Sequence, residues 1–304
     1  MKKIVIAGGT GFLGSCLSLH YEANGWGVII LTRGAARQQG SVQYVSWDGK
    51  NPGPWVNTLE GADVVVNLNG RSVDCRYTEE NKRLIYSSRL DATAILGTAI
   101  QRAKTPPKVW LNAASATIYR YAEDREMDEY TGEIGTGFSV DVCQKWEAVF
   151  NSVEIPNTRK IVLRTGIVLG NQGGPLRPLK ILARLGAGGR QGSGRQYCSW
   201  LHETDFVQIV DFLVRHMETT GVYNVTAPVP VTNRLFMRAL RKAMGMPAGI
   251  PLPAWLLTVG ARVIQTEVEL ILKSRRVVPA RLLQAGYRFR FPTIEKAVAD
   301  LCRH

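Results

Sequence analysis

The sequence predicts an α/β fold, a doubly wound parallel sheet joined to a smaller, mostly helical C-terminal lobe. Three observations predict it. Short apolar runs alternate with amphipathic stretches over the first 170 residues. The runs are apolar throughout, as strands covered on both faces are. A glycine-rich turn follows the first run directly and opens the first helical stretch.

In chain order, residues 4–7, 28–31, 42–45, 62–68, 109–112 and 161–163 read as buried strands. Helical patterns over 11–24, 78–102 and 138–151 lie between several of them, which makes βαβ units. From about Gly170 the texture changes. Residues 170–194 are rich in glycine, with a short helix expected over 176–185. A helix should start near Thr204, and 222–226 reads as another strand. Thr232 is a good side-chain cap for a helix over 233–244. A Gly/Pro-rich break at 249–253 precedes helices expected through 254–274, and a last helix follows Thr293. The expected division is a nucleotide-binding unit over 1–170, completed by parts of 195–232, and an interleaved smaller lobe over 171–304.

Apolar residues make up 45% and charged residues 21%, a balance that argues against disorder. Lys and Arg exceed Asp and Glu by 38 to 25, and residues 231–304 alone carry 13 against 4. A basic segment invites a nucleic-acid or anionic-membrane partner, although charge alone is weak evidence for either. The five cysteines form no C-x-x-C, so neither zinc nor a disulfide framework is expected, and reduced thiols fit a cytoplasmic protein. The apolar run after Met1-Lys2-Lys3 ends quickly in glycines, so no signal peptide is expected. No run of about 18 apolar residues exists, so no membrane span is expected either. H-E-x-x-H, G-x-S-x-G and G-x-x-x-x-G-K-[ST] are absent.

The most specific feature is Ile4-Val5-Ile6-Ala7-Gly8-Gly9-Thr10-Gly11-Phe12-Leu13-Gly14. Gly9, Gly11 and Gly14 satisfy G-x-G-x-x-G, and Gly8, Gly11 and Gly14 satisfy G-x-x-G-x-x-G. Such glycines allow a tight turn, close backbone approach to a pyrophosphate and close helix–strand packing, while the helix N-terminus offers free N–H groups to phosphate. Glycine-rich turns also serve merely as turns; the strand before and helix after favour a Rossmann-like dinucleotide site. An NAD-selective site would place an acid about 20 residues further on. None occurs between Glu22 and Asp48, and the second strand ends instead in Thr32-Arg33. A hydroxyl and a guanidinium suit a ribose 2′-phosphate, which favours NADP(H). The plainer alternative is that Arg33 is a solvated loop residue.

Further segments carry a resemblance that covers nearly the whole chain. Ala7–Gly14, Asn67-Leu68-Asn69-Gly70, Ala114-Ser115-Ala116-Thr117-Ile118-Tyr119 and Trp200-Leu201-His202-Glu203-Thr204-Asp205 resemble segments of the extended short-chain dehydrogenase/reductases. Arg76-Tyr77-Thr78, Ser88-Arg89, Cys143-Gln144-Lys145-Trp146-Glu147, Leu163–Gly170, Pro230-Val231-Thr232-Asn233, Arg276-Val277-Val278-Pro279 and Gly286-Tyr287-Arg288-Phe289 narrow this. They are similar to an atypical "epimerase family" branch that carries a C-terminal domain of unknown function. The resemblance implies that Gly8, Thr10, Gly11, Phe12 and Leu13 face the pyrophosphate and that Thr32 and Arg33 hold the 2′-phosphate. Leu68 and Asn69 would lie along the adenosine, Arg89 would reach the cofactor, and Val168 would sit near the nicotinamide. Arg89 reads equally well as a helix-surface cation.

One departure matters for chemistry. Members that transfer hydride use a Tyr-x-x-x-Lys pair, in which the cation lowers the phenol's pKa. None of the ten tyrosines here has Lys four positions later. Aligning on Glu147 puts Ser139 in the Tyr slot and Cys143 in the Lys slot. Lys145 cannot replace Cys143, because each helical step turns it by about 100°. Ser115 stays in the Ser slot as the catalytic candidate, able to hydrogen-bond a substrate oxygen, or else only its own backbone. Tyr119, Tyr121 and Tyr130 are candidate stand-in acids, although a tyrosine is more often a packing residue with a wet hydroxyl. His202 is a candidate base that also reads as the anchor of a helix start. Tyr119, Arg190 and Trp200 are the substrate-facing candidates, and Arg190 and Arg195 suit an anionic ligand. The expected function is an NADP-dependent oxidoreductase or epimerase-like enzyme acting on a small, anionic substrate. The alternative is a catalytically impaired NADP-binding sensor. Nucleic-acid and membrane partners are not favoured.

Overall fold

Ile4 and Ile6 face one apolar cluster while Val5 and Ala7 face another, so the first strand is buried on both sides. That double burial explains the unbroken apolar runs. The computed structural model describes residues 1–263 and 272–303. Its strands are β1 (Lys3–Ala7), β2 (Gly27–Thr32), β3 (Arg37–Gln39), β4 (Val42–Ser46), β5 (Val64–Asn67) and β6 (Val109–Ser115). They continue as β7 (Arg159–Thr165), β8 (Ile167–Leu169), β9 (Tyr197–Cys198), β10 (Trp200–His202), β11 (Gly221–Val225) and β12 (Val231–Thr232). The helices are α1 (Phe12–Ala23), α2 (Glu79–Arg102), α3 (Phe138–Asn151), α4 (Leu176–Arg184) and α5 (Glu203–Arg215). They continue as α6 (Asn233–Ala243), α7 (Ala254–Val263), α8 (Ala280–Gln284) and α9 (Ile294–Cys302).

The large sheet has the order β11-β7-β6-β5-β1-β2-β4-β3. All pairings are parallel except β3 against β4. The chain winds outward from β1 in both directions, so the strand order reverses between β1 and β5. In open α/β sheets that reversal leaves a crevice at the carboxyl ends of the strands, where ligands bind. The doubly wound architecture is therefore the one the apolar runs predict. The six expected strands all form, as do the helices expected over 11–24, 78–102 and 138–151. The strands that patterning misses, β3, β8, β9, β10 and β12, are two or three residues long. β8 pairs with β10 and β9 with β12, partners far apart in the chain, while β3 is a polar strand folded back on β4. The helix expected through Ser274 does not reach it, and residues 264–271 lie outside the described residues. The Ser274 hydroxyl donates to the Ala122 carbonyl and accepts from the Tyr197 N–H, which ties that residue to two distant loops outside any helix.

Helix starts follow local chemistry. The Thr78 hydroxyl accepts from Asn81 N–H at the start of α2, and Thr232 accepts from Leu235 N–H at the start of α6. His202 caps α5: its Nδ1 accepts from Thr204 N–H at 3.0 Å. Its ring also stacks on Phe291 and lies 3.4 Å from Asp300 through Nε2.

An ion pair ties the interior together. Arg164 on β7 meets Glu147 on α3 through two hydrogen bonds of 2.8 Å, with side chains only 12% and 8% exposed. Arg164 also donates to the Tyr119 hydroxyl, which donates to Asn224 on β11. Asn224 in turn donates to the Val278 carbonyl. Arg164→Met strands the Glu147 carboxylate and should cost about 3–5 kcal/mol of stability, read from urea unfolding. Adding Glu147→Leu should recover much of it. A loss below about 1 kcal/mol in the single variant would remove this pair as an organising contact.

Burial holds the His202 imidazole below its ordinary value, against the opposing pull of Asp300 and Asp205. The unfolded chain then binds a proton that the folded chain refuses. This contribution to stability is complete above about pH 6.5 and declines as the pH falls through and below it. His202→Asn, which keeps a capping oxygen, should flatten the acid side of a melting-temperature profile between about pH 6.5 and 5. An unchanged acid side would sink the assignment.

Candidate functional site

The glycine turn lies at the carboxyl end of β1. Gly8 has φ +78°, and a Cβ there would sit 2.9 Å from the Leu68 carbonyl carbon. A Cβ on Gly14 would sit 2.5 Å from the Gly9 Cα. Both positions exclude a side chain, so helix, turn and β5 end approach at backbone distance. Helix α1 has no side-chain cap and no acid in its first turn, which leaves its N–H groups for an anion. Thr10 and Gly11 are exposed there. The Phe12 ring packs beneath Gly170 and Gly173, and Leu13 packs against the core. Only the backbone of those two residues is offered to a ligand.

Beside this turn is a cavity of about 420 Å³ whose lining includes Arg33, Lys50, Asn69, Arg71 and Ser88. Thr32 is buried and its hydroxyl accepts from Gly34 N–H, so it shapes the turn that carries Arg33. Arg33 itself is exposed at the cavity wall. Asn69 donates to the Ser88 carbonyl, and Leu68 packs in the core. Asp48, also in this wall, accepts from Lys50 and Asn51 N–H groups, which hold its carboxyl at about 2. Arg89 lies under Gly70, its guanidinium over the Trp146 ring and one bond made to the Ile85 carbonyl. Burial pulls its pKa down, and no carboxylate pairs with it among the described residues. A glycine cradle, open helix N–H groups, three cations in one wall and a buried guanidinium without a carboxylate fit a phosphorylated dinucleotide.

A second cavity of about 400 Å³ opens at the carboxyl ends of β6 and β7. Ser115 and Ser139 both line it, as do Thr117 and Tyr197. The Ser115 Oγ accepts from Thr117 N–H at 3.2 Å, capping a short turn. Its hydroxyl proton is engaged by no described residue. Cys143, one turn after Ser139, is buried and its thiol is pushed up to about 12 by burial. Lys145 points away and pairs with Asp141 at 2.8 Å. A Tyr–Lys acid/base pair is therefore absent from this face of α3.

Several expected site residues lie elsewhere. Tyr119 is 1% exposed and locked between Arg164 and Asn224, so it does not meet a substrate. Tyr121 and Tyr130 are exposed and donate to Glu123 and Gln284. Trp200 is wholly buried, its indole N–H donated to the Val229 carbonyl. Arg190 curls back onto the Gly192 and Ser193 carbonyls, and its neighbour Gln191 lines the cavity instead. Arg195 reaches Glu123 at 3.2 Å. Val168 is buried in the core, whereas the adjacent Ile167 and Leu169 line the cavity.

Tyr197, Lys273 and Arg275 line the cavity without having been expected there. Tyr197 is the only cavity-lining tyrosine among the described residues, and its hydroxyl makes no hydrogen bond to any of them. The signal that could have found the cations is the basic stretch Lys273-Ser274-Arg275-Arg276. Nothing local says where it docks.

Comparison with known proteins agrees with this geometry. The NAD dependent epimerase/dehydratase family matches residues 4–226, and a domain of unknown function, DUF1731, matches 252–301. Epimerase family protein SDR39U1 of Mus musculus is 32% identical, with 98% of this chain and 99% of that one covered. Epimerase family protein YfhF of Bacillus subtilis (strain 168) is also 32% identical, over 98% of this chain and 97% of its own. The crystal structure of human epimerase family protein SDR39U1 with NADPH superposes with a TM-score of 0.88 at 30% identity, covering 99% of each chain. UDP-N-acetylglucosamine 4-epimerase from Bacillus cereus, at 16% identity over 100% of this chain and 99% of its own, shares the fold with a TM-score of 0.76. With its glycine turn, its doubly wound sheet and its C-terminal segment all accounted for, the chain belongs to the NAD dependent epimerase/dehydratase family.

Proposed function

We propose that this protein is an NADP(H)-dependent oxidoreductase or epimerase-type enzyme acting on a small molecule in the Ser115 cavity. The observation that supports it is the cavity lined by Ser115, Ser139 and Tyr197, at the same carboxyl edge of the parallel sheet as the glycine turn. Arg33, Lys50 and Arg71 would hold the adenosine end, with Arg33 on the 2′-phosphate. Gly8, Thr10, Gly11 and the first N–H groups of α1 would hold the pyrophosphate. When bound, the nicotinamide supplies hydride transfer. The chain's own part is to orient and to move a proton. Ser115 donates a hydrogen bond to a substrate oxygen. Tyr197 stands in as the proton donor at its hydroxyl, in place of the missing Tyr-x-x-x-Lys. Ile167, Leu169 and Phe236 exclude water.

A second reading has its own observation. The slot of the usual lysine holds a buried, protonated Cys143, which supports a non-catalytic NADP(H) sensor.

Nicotinamide fluorescence should show NADPH bound more tightly than NADH. Arg33→Ala should weaken NADPH by about 10–100-fold, the worth of a charge-assisted hydrogen bond, and leave NADH nearly unchanged. Equal effects on both would defeat the 2′-phosphate assignment. On a panel of aldehydes, ketones and 2-oxo acids, NADPH oxidation should fall about 100-fold or more in Ser115→Ala and in Tyr197→Phe, with NADPH affinity retained. Tight NADPH binding without turnover of any panel member would replace the enzyme by the sensor.

A further inference from the structure

Gln191 lies in the loop between α4 and β9, is 3% exposed and lines the Ser115 cavity. Its backbone is held on several sides. The carbonyl accepts from Gly194 N–H and from Gln196 Nε2. The next residue, Gly192, donates its N–H to the Leu252 carbonyl, and Leu252 N–H donates to the Arg190 carbonyl.

The side-chain amide is oriented by a chain of bonds with one solution. A backbone N–H can only donate, and that of Gln191 meets a side-chain atom of Asn233 at 2.7 Å, so that atom is the acceptor Oδ1. The other atom is then the donor Nδ2, and its 3.0 Å partner on Gln191 is the acceptor Oε1. Gln191 Nε2 remains, with two N–H donors. Nothing among the described residues accepts from them, and the atom is not sealed inside the protein.

Such a donor discriminates between ligands. One that displaces water from it without accepting from it leaves it unsatisfied, at about 1–3 kcal/mol. A ligand oxygen placed there removes the cost, and a site built this way rejects analogues that lack the oxygen.

The donor also belongs to a different part of the fold from Ser115. Ser115 ends β6 in the parallel sheet. Gln191 is tied to Asn233, the first residue of α6, and Phe236 one turn later lines the same cavity. Phe236, Leu179, Ile167 and Leu169 make much of the remaining wall apolar.

We propose that Gln191 sets the substrate class: a carbonyl compound with a second acceptor oxygen on an otherwise apolar skeleton. The reacting oxygen accepts from Ser115 and the second oxygen accepts from Gln191 Nε2. Asn233 is the positioning residue that keeps the donor side of the amide toward the ligand. This rests on the reading of the cavity as the substrate site.

Matched ketones test it on the full-length protein. Hexane-2,5-dione and heptane-2,6-dione carry the second oxygen, and hexan-2-one and heptan-2-one lack it. NADPH oxidation gives kcat/KM, and ligand-observed NMR gives affinity for the NADP+ complex, where no reduction occurs. At least one dione should exceed its monoketone about 10-fold in both measures. Gln191→Glu keeps an oxygen for Asn233 and removes the donors. It should cut that ratio to about twofold, the statistical advantage of two carbonyls, while NADPH affinity holds. It should still accept 5-hydroxyhexan-2-one, whose hydroxyl can donate. Asn233→Asp leaves Gln191 in place but puts an oxygen against Oε1, which turns the amide over. The same switch from dione to hydroxyketone should follow, an outcome that mere loosening of the loop would not produce. If Asn233→Asp fails to fold, Gln191→Glu decides the matter.

No dione advantage at either chain length overturns the proposal, as does binding of none of these ketones or an advantage that Gln191→Glu leaves intact. The enzyme reading is separable. A dione preference in binding that Gln191→Glu removes, without NADPH oxidation, keeps this role of Gln191 and removes the enzyme. Turnover of ketones and diones alike, indifferent to Gln191→Glu, keeps the enzyme and removes the role.

Discussion

A guanidinium in the protein interior needs a carboxylate, because an unpaired charge there costs several kcal/mol. Arg164 meets that need through Glu147, and the pair sets the rotation of α3 about its own axis. Residues 139, 143 and 147 are spaced i, i+4 and i+8, so they share one helix face. With Glu147 turned inward to Arg164, Cys143 is in the buried wall and Ser139 is at the cavity. Lys145, two steps off that face, is turned toward solvent and Asp141. The missing Tyr–Lys pair therefore follows from the residues on this face, and no alternative rotation of α3 restores it. The third hydrogen bond of Arg164 goes to Tyr119, which keeps that phenol in the interior, away from the cavity that Tyr197 lines.

How much of this is legible in the sequence depends on distance along the chain. Strands β1, β5 and β6 are apolar on both faces, and that shows in any short window. The glycine turn is equally local, since strand, turn and helix are contiguous. The Ser115 cavity is different. Arg275 meets the Thr117 carbonyl across 158 residues, and no periodicity encodes that meeting. Tyr119, Trp200 and Arg190 have the residue types of a site and sit near it in sequence. Each has a polar atom that the fold already engages, on Asn224, Val229 and the 192–193 carbonyls. Residue type says what a side chain can bond, and the fold decides which partner reaches it first.

The Trp200–Asp205 segment shows the same principle at the level of a motif. It reads as a site element, yet every conspicuous member is engaged in assembly. His202 caps α5. Asp205, fully buried, accepts from the Tyr287 hydroxyl and from the Arg290 and Phe291 N–H groups. Three donors stabilise the buried carboxylate and dock the C-terminal segment against the sheet. A matching motif here reports how two parts of the chain are joined.

The basic tail is then best understood cation by cation. Arg281 donates to the carbonyls of Thr220 and Val222 at the start of β11. Arg241 donates to the Gly188 carbonyl, and Arg276 pairs with Glu126 and lies over the Tyr197 ring. These are tethers between the C-terminal segment and the loops beneath it, which is why net charge alone is a poor guide to a partner. Arg275 belongs to the same set of tethers, but it differs in where its tether ends. Thr117 lines the Ser115 cavity, so the bond that anchors the segment also fixes part of that cavity's wall. Docking of the C-terminal domain and completion of the cavity are thus one event, and a chain that failed at the first would lack the wall to which Lys273 and Arg275 belong.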